Sequence, residues 1–151
     1  MRALIQRVHR AAVRVDGEII GETARGLCVL VGVGHDDSED DARALADRVV
    51  NLRVFPDDAG RMNLSLLDVG GGLLAVSQFT LMGDTRRGRR PSFVAAAAPD
   101  HANPLFERFV AEAAARGPGV ATGRFGAHMD IDIQADGPVT LLLDTKESRR
   151  G

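Results

Sequence analysis

The sequence has a single cysteine and no long apolar run, and both shortages limit what the protein can be. Cys28 lies inside the apolar run Leu27–Val31, so it cannot form an intrachain disulfide and is typical of a small buried side chain. No stretch approaches the roughly 20 apolar residues of a membrane-spanning helix, and the first residues lack the apolar centre of a secretory signal. The sequence therefore predicts a cytoplasmic protein with no membrane partner.

Excess charge of one sign is also absent, because the net charge of the 151 residues is only −2. The protein as a whole therefore does not attract nucleic acid, and any contact with RNA must come from a local basic patch. A hydrophobic content of 44% is ordinary for a globular protein and argues against disorder. Because we find no repeat, linker or boundary, we expect one domain over residues 1–151.

Metal and dinucleotide motifs are missing as well. The pattern Val31-Gly32-Val33-Gly34 has two of the three glycines of a dinucleotide loop, but Asp36 and Asp37 follow it and would repel phosphate. We interpret it as a turn. The histidines are scattered without the spacing of metal ligands, at positions His9, His35, His101 and His128. We predict no metal and no cofactor.

Short strand-like runs dominate the sequence. We predict strands over residues 3–8, 12–15, 18–23 and 26–33, with Asp16-Gly17 as a hairpin turn. A near-continuous apolar stretch covers residues 73–81. Between His128 and Ala135 apolar and polar residues alternate, which predicts a further strand.

Two helices interrupt the strands. The first begins at Ser38, with Asp41 as the acidic partner of its cap, and has an apolar stripe at helical spacing. The second is predicted over residues 104–116, with Asn103 as its cap and Pro104 in its first turn. Since strands and helices do not alternate regularly, we expect an α+β fold with a mostly antiparallel or mixed sheet and two main helices.

One concentrated basic segment follows residue 83. This segment could be an ordinary solvated loop. Alternatively, its arginine guanidinium groups could bind phosphate oxygens. The adjoining aromatic side chain could stack on a base. The candidate residues for such phosphate and base contacts in this segment are Arg86, Arg87, Arg89, Arg90, Pro91, Ser92 and Phe93.

Two short motifs stand beside apolar runs, where strands should end or begin. Ser77-Gln78-Phe79-Thr80 follows Leu73–Val76, and Gly137-Pro138-Val139-Thr140 precedes Leu141–Leu143, which we expect to be a buried run. Taken alone, the Thr80 hydroxyl could be a strand-end hydrogen bond, and Gly137-Pro138 could be an ordinary turn.

Together the motifs resemble the two signatures of the D-aminoacyl-tRNA deacylase family. The resemblance extends over essentially the whole chain and includes Asn51–Phe55, Met62–Ser65 and Phe125–Met129. One departure is Ala135, which stands where the family usually has asparagine, and this puts one hydrogen bond beside Gly137-Pro138 in doubt.

The resemblance implies a homodimeric ester hydrolase that acts on D-aminoacyl-tRNA, with tRNA and not DNA as its nucleic-acid partner. Gly137-Pro138 would be a cis dipeptide that reaches into the partner subunit's site, where its backbone excludes L side chains. Glycine has no side chain, so glycyl-tRNA would be a second substrate. The catalytic candidates are Ser77, Gln78, Phe79 and Thr80, and the further substrate-binding candidates are Val139 and Thr140.

The catalytic step has two interpretations. Because the sequence offers no evident triad, the vicinal 2′-hydroxyl of the tRNA could assist, while the protein supplies backbone donors near Phe79 and Thr80. The alternative makes Thr80 a covalent nucleophile, although no histidine or lysine lies nearby in the sequence to activate it. Two other classes of function also remain open, an RNA-binding module without chemistry and an esterase of small molecules.

Overall fold

The computed structural model describes residues 1–147. The last residues of the expected domain, 148–151, lie outside the described residues. The strands are Arg2–Val15 (β1), Glu18–Thr23 (β2), Gly26–Gly32 (β3), Phe55–Pro56 (β4), Met62–Leu64 (β5), Gly72–Ser77 (β6), Val120–Thr122 (β7) and Asp130–Asp144 (β8). The helices are Glu39–Asn51 (α1), Leu66–Val69 (α2) and Pro99–Ala115 (α3), and a 3-10 turn covers Phe79–Met82.

The main sheet is mixed, which confirms the expected α+β class. Its strand order is β2-β1-β3-β6-β7, and β8, which lies outside this order, also pairs with β1. Strand β1 is antiparallel to β2, β3 and β8, whereas β3, β6 and β7 run parallel. The short strands β4 and β5 form a separate antiparallel pair.

The central strands are buried on both faces. In β3, Leu27, Val29 and Val31 belong to a hydrophobic cluster with α1 and α3, while Cys28 belongs to a second cluster on the opposite face. This alternation follows from the two-residue period of a strand. Burial raises the pKa of the Cys28 thiol to about 11, so this group is a neutral, packed side chain at physiological pH.

Local signals placed α1 and the first hairpin correctly. The Ser38 backbone N–H donates to the Asp41 carboxylate at 2.9 Å, which forms the predicted cap. Asp16 and Gly17 have φ angles of 50° and 83°, the left-handed conformation that a tight hairpin turn requires.

Four boundaries differ from the expectations. The strand predicted between His128 and Ala135 is β8, Asp130–Asp144, so the second motif lies inside a strand and not at the beginning of one, because pairing with β1 continues on both sides of it. Residues 3–8 and 12–15 belong to one long strand, β1, because β8 pairs with it across the expected break. The second long helix, α3, begins at Pro99 and not at Pro104. Both prolines satisfy the sequence rule for a first turn, but Pro99 occupies that position and Pro104 lies inside the helix. The apolar stretch over 73–81 divides at Ser77 into β6 and the 3-10 turn.

The expected buried run Leu141–Leu143 is wrong for two of its three residues. Leu141 and Leu142 are 41% and 55% exposed, and only Leu143 is buried. The reason is position, because within residues 1–147 β8 pairs only with β1 and forms an edge of the sheet.

Phe109 of α3 is fully buried in the cluster between the helices and the sheet. Its replacement by alanine removes most of a packed ring, so we expect Phe109→Ala to lower the free energy of unfolding by about 3–5 kcal/mol in urea denaturation. The exposed Glu107 of the same helix provides a control, and Glu107→Ala should change it by less than about 0.5 kcal/mol. Equal losses in the two variants would contradict this packing.

Candidate active site

The first motif lies where a buried strand gives way to a turn. Strand β6 ends at Ser77, and the Gln78 N–H still donates to the Val31 carbonyl of β3 at 2.8 Å. The chain then enters the 3-10 turn, in which the Leu81 N–H donates to the Gln78 carbonyl at 3.3 Å. The sheet therefore holds the beginning of the turn in place.

The 3-10 turn lies directly against β3. A Cβ atom on Gly32 would stand 3.1 Å from Leu81 Cβ and 3.2 Å from the Gln78 carbonyl oxygen, so a larger residue would displace the turn. Arg2 supports the other side by donating from Nη1 to the Leu81 carbonyl at 3.2 Å. Gly32 thus permits a close backbone approach, which explains the Gly-Val-Gly pattern without a nucleotide.

A cleft of about 510 Å³ opens beside the end of β6. Its wall contains Ser77, Gln78 and Phe79 of the first motif, and apolar side chains form most of the remainder. The other lining residues come from β3, the start of α3 and the segment that leads into β8, and they are Val31, Val33, Val76, Ala97, Pro99, Ala102, Phe125, Gly126, Ala127, His128, Met129 and Ile131. Sequence reasoning did not assign the wall at residues 125–131, although the family resemblance included Phe125–Met129.

Thr80 lies on the exposed side of the 3-10 turn. Its hydroxyl donates to Gln78 Oε1 at 2.5 Å, and within residues 1–147 no histidine, lysine or carboxylate is hydrogen-bonded to it. The arrangement therefore contains no preformed nucleophile–base pair of the kind that activates a threonine.

The backbone at the beginning of the turn offers a different chemical resource. The first N–H groups of a helical turn have no acceptor within the turn. Among the hydrogen bonds within residues 1–147, none is donated by the N–H of Phe79 or of Thr80. These two groups can donate to an oxygen that develops negative charge.

The second motif lies away from this cleft in the same chain. The strand pairing places Ser77 opposite Val31, Val31 opposite Ala3, and Ala3 opposite Leu143. Ser77 and Leu143 therefore lie in the same row across the sheet. Gly137 and Pro138 occur at the irregularity of β8 opposite Arg7, four residues further along β1. None of the four residues of the second motif lines the cleft.

Gly137-Pro138 is held in a defined conformation. Its peptide bond is cis, as the resemblance implies, and Gly137 has a φ of 124°. A Cβ atom on Gly137 would stand 2.9 Å from the Val139 nitrogen. The buried Arg7 lies beneath the motif, donates from Nη1 to the Val54 carbonyl at 2.7 Å, and has its Nε 3.1 Å from Asp136 Oδ2. This ion pair is present although Ala135 replaces the usual asparagine.

The basic segment forms a hairpin over residues 84–92, which we call the basic hairpin. The Asp84 and Ser92 backbones exchange hydrogen bonds of 2.7 and 2.9 Å. Arg86 donates to both Asp84 carboxylate oxygens, at 2.9 and 2.8 Å, and its hydrogen bonds lower the pKa of Asp84 to about 2. The remaining arginines, Arg87, Arg89 and Arg90, are exposed and have no ion pair within residues 1–147. One of the four candidate arginines, Arg86, therefore has an ion-pair partner within the chain.

Neither a metal cluster nor a membrane helix is found in the part of the chain that the structure describes. Over residues 1–147 no group of three or more His, Cys, Asp or Glu side chains is placed to hold a metal ion. No helix in that range has the length and apolarity needed to cross a membrane.

Comparisons with known proteins identify the family. The sequence matches the family described as D-Tyr-tRNA(Tyr) deacylase over residues 4–144. It is 57% identical to the D-aminoacyl-tRNA deacylase of Thermus aquaticus over 97% of both chains. It is 54% identical to that of Koribacter versatilis over 97% of this chain and 99% of the relative.

Solved structures have the same fold. A structure named c-Myc DNA Unwinding Element Binding Protein matches with a TM-score of 0.91 and 37% identity, over 96% of this chain and 99% of that chain. A probable eukaryotic D-amino acid tRNA deacylase matches with a TM-score of 0.82 at 19% identity, over 94% and 97% of the two chains, and this similarity concerns the fold alone. The chain belongs to the D-aminoacyl-tRNA deacylases, hydrolases that cleave the ester bond of aminoacyl-tRNA.

Proposed function

We propose that the cleft beside Ser77–Thr80 holds the aminoacyl ester of D-aminoacyl-tRNA, and of glycyl-tRNA, during hydrolysis. The observation that carries this proposal is the pair of unpartnered backbone N–H groups at Phe79 and Thr80, next to an open cleft. Attack on an ester converts the carbonyl oxygen into an oxyanion, and preorganised N–H donors stabilise this charge in the transition state. Ser77 and Gln78 complete the polar side of the cleft.

The 2′-hydroxyl of the terminal ribose activates or positions the attacking water. This assignment is supported by the surroundings of Thr80, whose hydroxyl is hydrogen-bonded to an amide oxygen that is not a base. The protein then contributes orientation and oxyanion stabilisation, while the substrate contributes its own neighbouring hydroxyl. A covalent Thr80 nucleophile is the second candidate, and it lacks an activating group.

Stereochemical selection comes from a second copy of the chain. Gly137 and Pro138 do not line the cleft of their own chain, which favours delivery of this dipeptide by a partner in a homodimer. The exposed edge strand β8 supports such a contact, because Ile133, Leu141 and Leu142 are 39%, 41% and 55% exposed.

A backbone wall explains selection without recognition of the side chain. With the Gly137 carbonyl facing the Cα atom of the substrate, an L side chain would collide with the wall, while a D side chain would point away from it. Glycine would enter because it carries no side chain. Val139 and Thr140, which continue from the dipeptide along β8, would contact the same end of the substrate.

The basic hairpin binds the tRNA backbone. Arg87, Arg89 and Arg90 are exposed cations near the 3-10 turn, so they provide the local patch that a protein of net charge −2 needs.

A module that only binds RNA is disfavoured because the family is one of hydrolases. An esterase of small molecules would not need the hairpin. Deacylation rates of D-aminoacyl-tRNA, L-aminoacyl-tRNA and a free D-amino acid ester separate these functions, and only the first should be hydrolysed efficiently.

The role of Thr80 can be tested by comparing a protein change with a substrate change. Thr80→Ala should retain activity within about tenfold of the parent, because the backbone N–H remains and the nucleophile is water. Replacement of the terminal 2′-hydroxyl by hydrogen should abolish hydrolysis by the parent enzyme. The measurement is single-turnover deacylation on the same tRNA. Trapping of an acyl group on Thr80, with loss of several orders of magnitude in Thr80→Ala, would reverse the assignment.

Salt dependence tests the basic hairpin. The double variant Arg87→Gln/Arg89→Gln should weaken tRNA binding and reduce the slope of log K against log salt by about 1.4–1.8, if each arginine contacts one phosphate. Turnover at saturating tRNA should change little, because ground and transition states use these contacts alike. Arg61→Gln, which removes an exposed charge from the turn between β4 and β5, is the control and should leave the slope unchanged. A parental slope in the double variant would leave the hairpin as a solvated loop.

A further inference from the structure

Phe93 contacts the 3-10 turn at both of its ends. Its ring centroid lies 5.3 Å from that of Phe79 at an interplanar angle of 70°, an edge-to-face pair. A Cβ atom on Gly83, the residue that follows the turn, would stand 3.0 Å from Phe93 Cε1. The ring therefore packs closely on the backbone after the turn and on the side chain of its first residue.

Backbone hydrogen bonds fix Phe93 from both directions. On the N-terminal side, the exchange between Asp84 and Ser92 closes the basic hairpin directly before Phe93. On the C-terminal side, the His35 N–H donates to the Ala95 carbonyl at 3.3 Å, and the Ala97 N–H donates to the Val33 carbonyl at 2.9 Å. The backbone is thus hydrogen-bonded on both sides of Phe93, to the base of the hairpin and to the end of β3.

The other supports of the turn come from the sheet. Gly32 of β3 permits its close approach, and Arg2 of β1 holds the Leu81 carbonyl. Phe93 is the support that is continuous with the basic hairpin. It also contacts Phe79, whose backbone N–H faces no acceptor within residues 1–147.

We propose that Phe93 is a positioning residue for ester hydrolysis. Its ring holds Phe79 so that the N–H groups of Phe79 and Thr80 point at the developing oxyanion. This inference rests on the proposed function of the cleft. It assigns Phe93 a different role from stacking on a tRNA base, because the ring packs on Phe79 and against the backbone that follows the turn.

The two roles predict opposite kinetic effects. A residue that stacks on the RNA acts on binding, so its loss raises KM for tRNA and leaves a short substrate unaffected. A residue that positions the oxyanion donors acts on the chemical step, so its loss lowers kcat on every substrate that carries the ester.

The test measures kcat and KM for Phe93→Ala on D-aminoacyl-tRNA and on a 3′-O-D-aminoacyl-adenosine, which carries the ester and the 2′-hydroxyl without the tRNA body. We expect kcat to fall about tenfold on both substrates, which corresponds to the loss of one aromatic contact in the transition state. Phe93→Tyr keeps the ring and should retain most of the activity, and Phe93→Leu should be intermediate. Val94→Ala, at a neighbouring residue that is 79% exposed, is the matched control and should resemble the parent.

A double-mutant cycle with Phe79→Leu adds an independent readout. If Phe93 acts through Phe79, the effects of Phe79→Leu and Phe93→Leu on kcat should be clearly less than multiplicative. Thermal denaturation of each variant identifies any that fail to fold, and Phe93→Leu, which preserves an apolar contact, then provides the decisive comparison.

The result that would overturn the inference is a rise in KM for tRNA alone, with unchanged kcat on the aminoacyl-adenosine. Fully multiplicative effects in the cycle would also overturn it. A parent enzyme that hydrolyses neither substrate would instead overturn the proposed function, and this inference with it. The two failures are therefore distinguishable in one set of assays.

Discussion

The constraint on which the site depends is the burial of β6 on both faces. Leu73 and Ala75 pack towards α1 and α3, while Leu74 and Val76 pack into the opposite cluster, and all four are essentially inaccessible to solvent. Such a strand cannot shift by one residue without exchanging its two faces, so its register is strongly specified. The position at which β6 ends is specified as well. The 3-10 turn and its two backbone donors therefore begin at a fixed point beside the cleft.

The sequence predicted the parts of this arrangement that local chemistry determines. The cap of α1, the Asp16-Gly17 turn and the mixed α+β class depend on residues close together in the chain, and the structure confirms them. Sequence reasoning failed where tertiary position decides. Two prolines equally suited to a helix start lie five residues apart, and only packing of the added turn selects Pro99. Likewise a leucine run cannot reveal that its strand lies at the edge of the sheet.

The candidate site was predictable to a similar extent. The first motif marked the end of β6 correctly, and the family resemblance implied the cis bond of the second motif, although that motif lies inside β8 and not at a strand end. The role of Gly32 was missed because a close approach between β3 and a turn 46 residues later leaves only a glycine in the sequence. The ion pair between Arg86 and Asp84 was also missed, because it depends on how the hairpin brings the two side chains together. In each case the missing information was a contact and not a residue type.

We propose that each site combines the 3-10 turn of one chain with the Gly137-Pro138 dipeptide of another. The most direct measurement uses mixed dimers, formed by co-expression of two tagged chains and isolated with both tags. One chain carries Phe79→Pro, which removes a donor N–H at a position where the extended Gln78 tolerates a following proline. The other carries Gly137→Ala, which places a Cβ atom 2.9 Å from the Val139 nitrogen. We expect each homodimer to be defective. The mixed dimer should regain about half of the parental activity per dimer, because one of its two sites then carries neither change. We also expect parental discrimination between D- and L-aminoacyl-tRNA at that site. If the mixed dimer is no more active or selective than the two variants measured separately, the proposed shared site is contradicted.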